Sequence, residues 1–560
     1  MAASLICRAA AAAMLSAGLC GCASLERIYQ PVDTAALTGP AAAVADTRCD
    51  KPDDPSAPPP RYSLGALKDC TSSDSLIVFA FSGGGIRSAA FGYGVLEGAH
   101  ATTIADTAGA AHTLDSDIDI VSGVSGGSFT AAAFATHRGA LFPAAGAPDY
   151  YRDNFLTHNF FGDLAAIYLE PWHWQWMLPN YSSQDELAKI YGGIDFSSDK
   201  DKLFAPTYGD LARKGRPFLV VQATDYGNEQ PFTFTQDDFD LICSDVNAYP
   251  VGNAVAASSA FPVLFSPIRL TNHHYDDPSN KAYCATHRPA WVDEVLRAPE
   301  PVDLSRLYSS AQVANGYLPP ANGAKIDGTQ APRSVFLQDG GVTDNVALRG
   351  LTNIVIRHMS AADTGDLWTE ANRAAACRNG WGRIKRVVFV AVDGEAQPDN
   401  KVATLPYLSD FLLILNVTSS ALIDSNGFET MLATDALTKA IASRLSQLSC
   451  DGGPGGPGGH AVTPYFARVS FQDLAEETVL DGTACGRDAK ESCTMGDLAR
   501  SETSLDFQDK QVDALIAAGR SAFHCNRKMA QLRRDMSATE DAGSGFACRH
   551  ATAKVGEPPK

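Results

Sequence analysis

The stretch Leu76-Ile77-Val78-Phe79-Ala80-Phe81-Ser82-Gly83-Gly84-Gly85-Ile86-Arg87 decides the fold class. Its first six residues are a continuous apolar run of branched and aromatic side chains. No polar position alternates through it, which is the pattern of a strand buried on both faces of a parallel sheet. The run stops in three glycines and enters a helix that includes Leu96. Comparable short runs recur at 118–121, 218–221, 335–337 and 387–392, separated by Ala-rich, helix-like stretches. Strands alternating with helices predict an α/β fold, a three-layer α/β/α sandwich around a mostly parallel central sheet. No internal repeat suggests a solenoid, and the Gly/Pro segment 451–459 reads as a flexible surface loop.

The composition agrees with a folded enzyme-sized body. The chain has 560 residues, 45% hydrophobic and 19% charged, which excludes wholesale disorder and a collagen-like fibre. Its formal charge of -19 repels phosphate backbones, so nucleic acid is not an expected partner. Residues 1–21 combine Arg8, an apolar run and a small-residue exit, the anatomy of an export signal too short to span a bilayer. The exit Leu19-Cys20-Gly21-Cys22 resembles the bacterial lipoprotein lipobox, with Cys22 as the lipid-modified first residue. Cys20 departs from the small or branched residue usual there. Ala23 and Ser24 follow, with no Asp after the cysteine, which leans toward the outer membrane, facing the periplasm or the surface. A secreted protein is the alternative. Residues 22–73, rich in Ala, Pro and Asp, read as a tether from that lipid to a body beginning near residue 74.

Thirteen cysteines are present. Removing the signal takes away Cys7 and Cys20, and setting aside Cys22 leaves an even set in an oxidising compartment. Neighbouring pairs in sequence suggest Cys49–Cys70, Cys243–Cys284 and Cys485–Cys493. No CxxC or Cys/His spacing suggests a zinc site.

Three motifs fall at strand ends. Gly123-Val124-Ser125-Gly126-Gly127 follows the 118–121 strand and precedes an Ala-rich helix, the setting of a GxSxG nucleophile elbow. Ser82-Gly83-Gly84-Gly85-Ile86-Arg87 brings consecutive backbone N–H groups to a helix N-terminus, where they can hold an anion. It lacks the Gly-Lys-Ser/Thr ending of a phosphate loop, so a developing oxyanion is the better use. Gln338-Asp339-Gly340-Gly341-Val342-Thr343-Asp344-Asn345 places a carboxylate at a strand end with two glycines beside it.

These three motifs, in this order, resemble the patatin-like phospholipases. A fourth stretch, Ala256-Ala257-Ser258-Ser259-Ala260-Phe261-Pro262, is similar to the Ala/Ser-rich segment these enzymes carry before a Pro. The resemblance covers residues 76–345 well, and 503–520 more loosely resembles a C-terminal helix of bacterial members. Residues 74–346 are the expected catalytic core, with an insertion around 140–215, and 347–560 a C-terminal part completing the domain. The resemblance implies a Ser-Asp dyad that cleaves fatty-acyl esters of phospholipid or lysophospholipid with no metal or cofactor. Ser125 would be the nucleophile, Asp339 its base, and Gly83, Gly84 and Gly85 the oxyanion hole. Patatins proper have Asp and Gly where this chain has Ser82 and Ser88. The SGGGxR form is closer to the cytosolic phospholipase A group, which makes Arg87 a candidate contact for the substrate phosphate or, alternatively, a structural ion pair.

Other features invite weaker readings. Trp172, Trp174 and Trp176 suggest either a lipid-docking loop or an aromatic insertion packed on the domain. Residues 411–415 read as core, Asp393 as a competing acid lacking paired glycines, and His273 with His274 as part of a solvated loop. Two functions compete with a dyad hydrolase. One is a general carboxylesterase with a Ser-Asp-His triad, using His460, His524 or His550. The other is a lipid-binding lipoprotein that keeps the fold as a platform.

Overall fold

The computed structural model describes residues 32–37, 58–64, 73–105, 109–169, 183–196, 201–261, 265–276, 283–297, 305–321, 332–360, 377, 381–396, 411–448, 450, 461–480, 493–500, 507–540 and 546–549. Cys22, the tryptophan cluster, the 451–459 loop, His460 and His550 lie outside the described residues.

Eight strands form one sheet. They are β1 (Ser75–Phe81), β2 (Ile118–Val124), β3 (Phe218–Asp225), β4 (Gln230–Thr233), β5 (Ile268–Thr271), β6 (Ser334–Gln338), β7 (Arg386–Asp393) and β8 (Thr463–Ser470). The order β8-β7-β1-β2-β3 is parallel throughout. Phe79, Phe81, Val121, Val220, Val221 and Val390 are buried there, each side chain contributing about 1.5–3 kcal/mol relative to exposure. The runs 76–81, 218–221 and 387–392 are thus strands covered on both faces, whereas the run 335–337 is not, since Phe336 is exposed.

The rest of the sheet departs from parallel. β6 runs antiparallel to β3 and to β5, and β4 is antiparallel to β3. A mixed, mostly parallel sheet results. Val124 and Thr233 both pair with Gln222, so β2 and β4 flank opposite edges of β3. Thr224 pairs with both Gln338 and Pro231, so β6 also lies opposite β4. β2 and β6 therefore share one edge of β3, meeting head to head. Only Ala223 separates the rung that ends β2 from the rung that ends β6. The residues that follow, Ser125 and Asp339, are directed at each other by register alone.

Helices α1 (Gly85–His100), α2 (Gly126–His137), α3 (Val251–Ser258), α4 (Arg349–Ser360), α5 (Phe411–Ser446) and α6 (Asp509–Cys525) surround the sheet. The β1-α1-β2 and β2-α2-β3 crossovers advance along the sheet in one direction and place α1 and α2 on one face. The β7-α5-β8 crossover advances the opposite way, and right-handed connection puts α5 on the other face. This is the three-layer arrangement. α6, within the loosely similar C-terminal stretch, packs on α1 so closely that a Cβ on Gly519 would overlap the Phe91 carbonyl, and one on Gly94 the Ile516 carbonyl.

The insertion contributes helices Phe160–Leu169, Ser183–Gly193 and Tyr208–Lys214. Side chains at 411–415 lie outside the described residues, and no helix among those described is long and apolar enough to cross a membrane. Cys243–Cys284 is bonded as the spacing suggested. Cys377–Cys450 and Cys525–Cys548, which the sequence reading left unpaired, are bonded across separations of 73 and 23 residues, each joining consecutive cysteines. Cys493 is disulfide-bonded, while Cys49, Cys70 and Cys485 are outside the described residues. The solvated-loop expectation for His273 and His274 is corrected. They stand on a helical turn, His273–Asp276, with His274 Nδ1 2.5 Å from the Cys284 carbonyl and His273 Nε2 2.9 Å from that of Thr34. The neighbouring disulfide holds this turn against the body, and burial lowers the His274 pKa to about 4.

The α1/α6 contact gives a stability test. Gly519→Ala forces a methyl into the Phe91 backbone and is expected to destabilise the protein by roughly 1–3 kcal/mol. Denaturant midpoints of the two proteins, compared at equal slope, measure this.

Candidate active site

Ser125 sits between β2 and α2 with φ 48° and ψ -124°, a region that non-glycine residues occupy only under constraint. Three contacts hold it there. Its N–H donates to Ser258 Oγ at 2.9 Å, Ser258 Oγ donates to the Gln222 carbonyl at 2.6 Å, and Ser128 Oγ donates to the Ser125 carbonyl at 2.6 Å. Strain of about 1–3 kcal/mol is offset by these bonds, and the serine hydroxyl is left facing outward from the strand end.

That hydroxyl donates to Asp339 Oδ2 at 2.8 Å. Asp339 Oδ1 accepts the Gly341 N–H at 2.8 Å, and the Asp339 N–H donates to the Ala260 carbonyl at 2.9 Å. The carboxyl is 5% exposed, and burial pushes its pKa up to about 6 against the stabilising bonds from Gly341 and Ser125. No histidine among the described residues bonds to either group. His524, the one late histidine described, stands at the end of α6 beside Phe523, which packs on Gly98. Gly98 is thirteen residues along α1 from Gly85, about 20 Å by helix rise. His524 therefore stands near the far end of α1 from the serine. No group of three or more His, Cys, Asp or Glu among the described residues could hold a metal.

The glycine loop meets the serine turn backbone to backbone. A Cβ on Gly126 would overlap the Gly85 carbonyl, and one on Gly127 the Phe81 carbonyl. Gly84 adopts φ 136° and Gly85 φ 63°, which turn the loop before α1 begins. Among the described residues the Gly84 and Gly85 N–H groups have no acceptor. The expectation that Gly83 supplies a third donor is corrected: its N–H donates to the Asn345 carbonyl at 2.9 Å. Asn345, which the motif reading passed over, thus joins the glycine loop to the aspartate loop, and its Oδ1 occupies the space a Gly83 side chain would need. Its place six residues after Asp339 was the available signal.

The family model described as Patatin-like phospholipase matches residues 79–352, just under half of the chain. The chain carries a patatin-like phospholipase domain. That domain belongs to a family of lipid-hydrolysing serine esterases. No curated protein matches the chain. The match stops at 352, yet β7 and β8 extend the patatin-like sheet beside β1.

The departures from the patatin pattern have a local use. Ser82 Oγ accepts the Gly394 N–H at 3.0 Å and lies 3.2 Å from Ser88 Oγ, while Ser88 Oγ donates to the Ser82 carbonyl at 2.5 Å. The serine pair therefore fastens the glycine loop to the end of β7. Arg87 is fully buried, and its Nε donates to the Gly394 carbonyl at 3.0 Å. Burial lowers its pKa to about 10 against the pull of Glu395 and Asp393. A guanidinium sealed in this way braces the loop from behind, and the substrate-phosphate expectation for Arg87 is corrected to that structural role. Asp393 bonds both Nε and Nη2 of Arg468 through Oδ2, at 2.7 and 2.6 Å.

The raised pKa of Asp339 predicts a stability change with a definite sign. Its folded pKa of about 6 exceeds the ordinary 3.8, so ionisation costs folding energy as pH rises through about 6 and costs nothing below the ordinary value. Asp339→Asn removes that cost, roughly 2–3 kcal/mol at most by linkage. Thermal melts at pH 8 and pH 4 are expected to show the variant gaining stability relative to wild type at pH 8 only.

Proposed function

We propose that the protein hydrolyses fatty-acyl esters of phospholipids or lysophospholipids through a Ser125–Asp339 dyad. The observation that carries this reading is the 2.8 Å bond from Ser125 Oγ to a buried carboxylate, beside backbone donors that have no acceptor among the described residues. Serine at its free pKa is a poor nucleophile, and a carboxylate poised near pH 6 accepts its proton as Oγ attacks the ester carbonyl. The carbonyl oxygen becomes an oxyanion under Gly84 and Gly85 at the start of α1. One such donor is worth about 10²–10³ in rate. The protonated Asp339 then gives its proton to the leaving lysolipid or glycerol oxygen, which departs and leaves an acyl-serine. Water attacks next, Asp339 takes its proton and passes it to Ser125 Oγ as the acyl–oxygen bond breaks, and fatty acid is released with both residues restored.

Ser125→Ala and Asp339→Ala are each expected to lower fatty-acid release from mixed phospholipid and lysophospholipid micelles by at least about 10³-fold, with unchanged circular dichroism. In the wild type kcat/KM is expected to fall below pH of about 6, where Asp339 takes up a proton. An Asp339→Ala protein that keeps most of its activity contradicts the dyad.

We also propose that the mature chain begins at Cys22 and is held by acyl chains on that residue in the bacterial envelope, facing the periplasm or the surface. The support is the apolar run ending in Leu19-Cys20-Gly21-Cys22 ahead of an Ala/Pro-rich segment. Growth with a fatty-acid analogue is expected to label the protein and not a Cys22→Ala variant. An unlabelled mature protein contradicts the anchor.

A further inference from the structure

Behind the glycine loop, at the carboxyl ends of β7 and β8, lies a cavity of about 230 Å³. Asp393 and Glu395 line it from β7, Arg468 and Ser470 from β8, and Phe428 and Met431 from α5. It shares a wall with the candidate active site. Gly394, between the two acidic residues, takes the Arg87 bond and packs on Gly84 and Ser88. Val346, another lining residue, follows the Asn345 that holds Gly83. A molecule with its ester carbonyl at Ser125 thus has this cavity on the far side of the donors that receive its oxygen.

The lining charges are specific. Arg468 spends Nε and Nη2 on one oxygen of Asp393, and its Nη1 has no partner among the described residues. Its side chain is 44% exposed, whereas Asp393 beneath it is 4% exposed. The carboxylate therefore orients the guanidinium fork from below, leaving donors for a second anion above. Glu395 adds a carboxylate at the same wall, so one cation and two anions line the site. A group with a phosphate and an ammonium can place the first on Arg468 and the second toward Glu395. The volume corresponds to roughly eight waters of liquid, room for such a polar group and not for a long acyl chain. Phe428, 66% exposed at the rim, presents apolar surface to whatever lies outside.

We infer that this cavity is a subsite for a zwitterionic phosphodiester head group, with Arg468 as the phosphate contact. The inference rests on the phospholipid reading above, and it moves the phosphate contact from the sealed Arg87 to a residue lying outside the matched family segment.

The test has two arms on the full mature chain. In the first, kcat/KM is measured on lysophosphatidylethanolamine and on a monoacylglycerol of the same acyl chain. The ratio of the two is expected to fall about tenfold or more in Arg468→Gln. Because that variant unpairs Asp393, Met431→Trp is made beside it to fill the cavity without touching the ion pair, and the same fall is expected. In the second arm, Ser125→Ala protein is titrated calorimetrically with glycerophosphoethanolamine, inorganic phosphate and glycerol. The diester is expected to bind most tightly and to lose at least tenfold in affinity on adding Arg468→Gln. An unchanged substrate ratio in both variants overturns the inference, as does diester binding no tighter than glycerol. Inorganic phosphate binding as tightly as the diester reassigns the cavity to free phosphate and overturns the head-group claim. If no lipid is turned over but the diester binds through Arg468, the hydrolase reading fails and the subsite stands.

Discussion

Two turns touch through bare backbone, and the site depends on that contact. Gly126 and Gly127, which open α2, lie against Phe81, Ser82 and Gly85 at the end of β1 with no room for a side chain between them. Parallel neighbouring strands bring both turns to the same end of the sheet. Glycine lets them close the remaining gap. The consequence is chemical: a serine hydroxyl and two N–H groups without acceptors among the described residues stand side by side at two helix N-termini, where partial positive charge favours an anion. The loop is braced from behind by the Ser82–Ser88 pair and by Arg87, all fastened to Gly394. Preorganised donors need no rearrangement as charge develops, which is why this effect is usually large in acyl transfer.

A second constraint places the carboxylate that the proposed dyad uses as its base. β2 and β6 end head to head on one edge of β3, and their next residues are Ser125 and Asp339. The antiparallel direction of β6 is what makes this possible. A strand parallel to β3 on that edge would carry its end away from Ser125. Burial raises the Asp339 pKa to about 6, which costs stability at neutral pH and gives the carboxylate the basicity that the proposed dyad requires. The turn from Ser258 to Ala260 holds both partners, through the Ser125 N–H and the Asp339 N–H respectively.

Much of this was legible in the sequence, for identifiable reasons. Runs such as 76–81 and 387–392 are apolar at every position, and only a doubly covered strand needs that. The three glycine motifs stand where strands end, so their chemistry and order were readable. The direction of β6 was not, because an apolar run of three residues carries no sign of which way its neighbour points. The Gly83 N–H was misassigned since its acceptor, the Asn345 carbonyl, is a backbone group 262 positions away that no motif encodes. Arg87 looked like a ligand contact because the sequence shows its charge and not its burial. Cys377–Cys450 and Cys525–Cys548 each join consecutive cysteines of the chain, as Cys243–Cys284 does, so the neighbour rule that gave the latter pair applied to them equally.

Labelling with an alkyl fluorophosphonate, followed by mass-spectrometric mapping of the adduct, tests the central claim most directly, since the reagent needs both an activated serine and donors for its phosphoryl oxygen. The account predicts a stoichiometric adduct on Ser125 in the wild type and a rate of labelling at least about 10²-fold lower in Asp339→Ala. An adduct on another serine, or labelling of Ser125 that is as fast without the carboxylate, contradicts it.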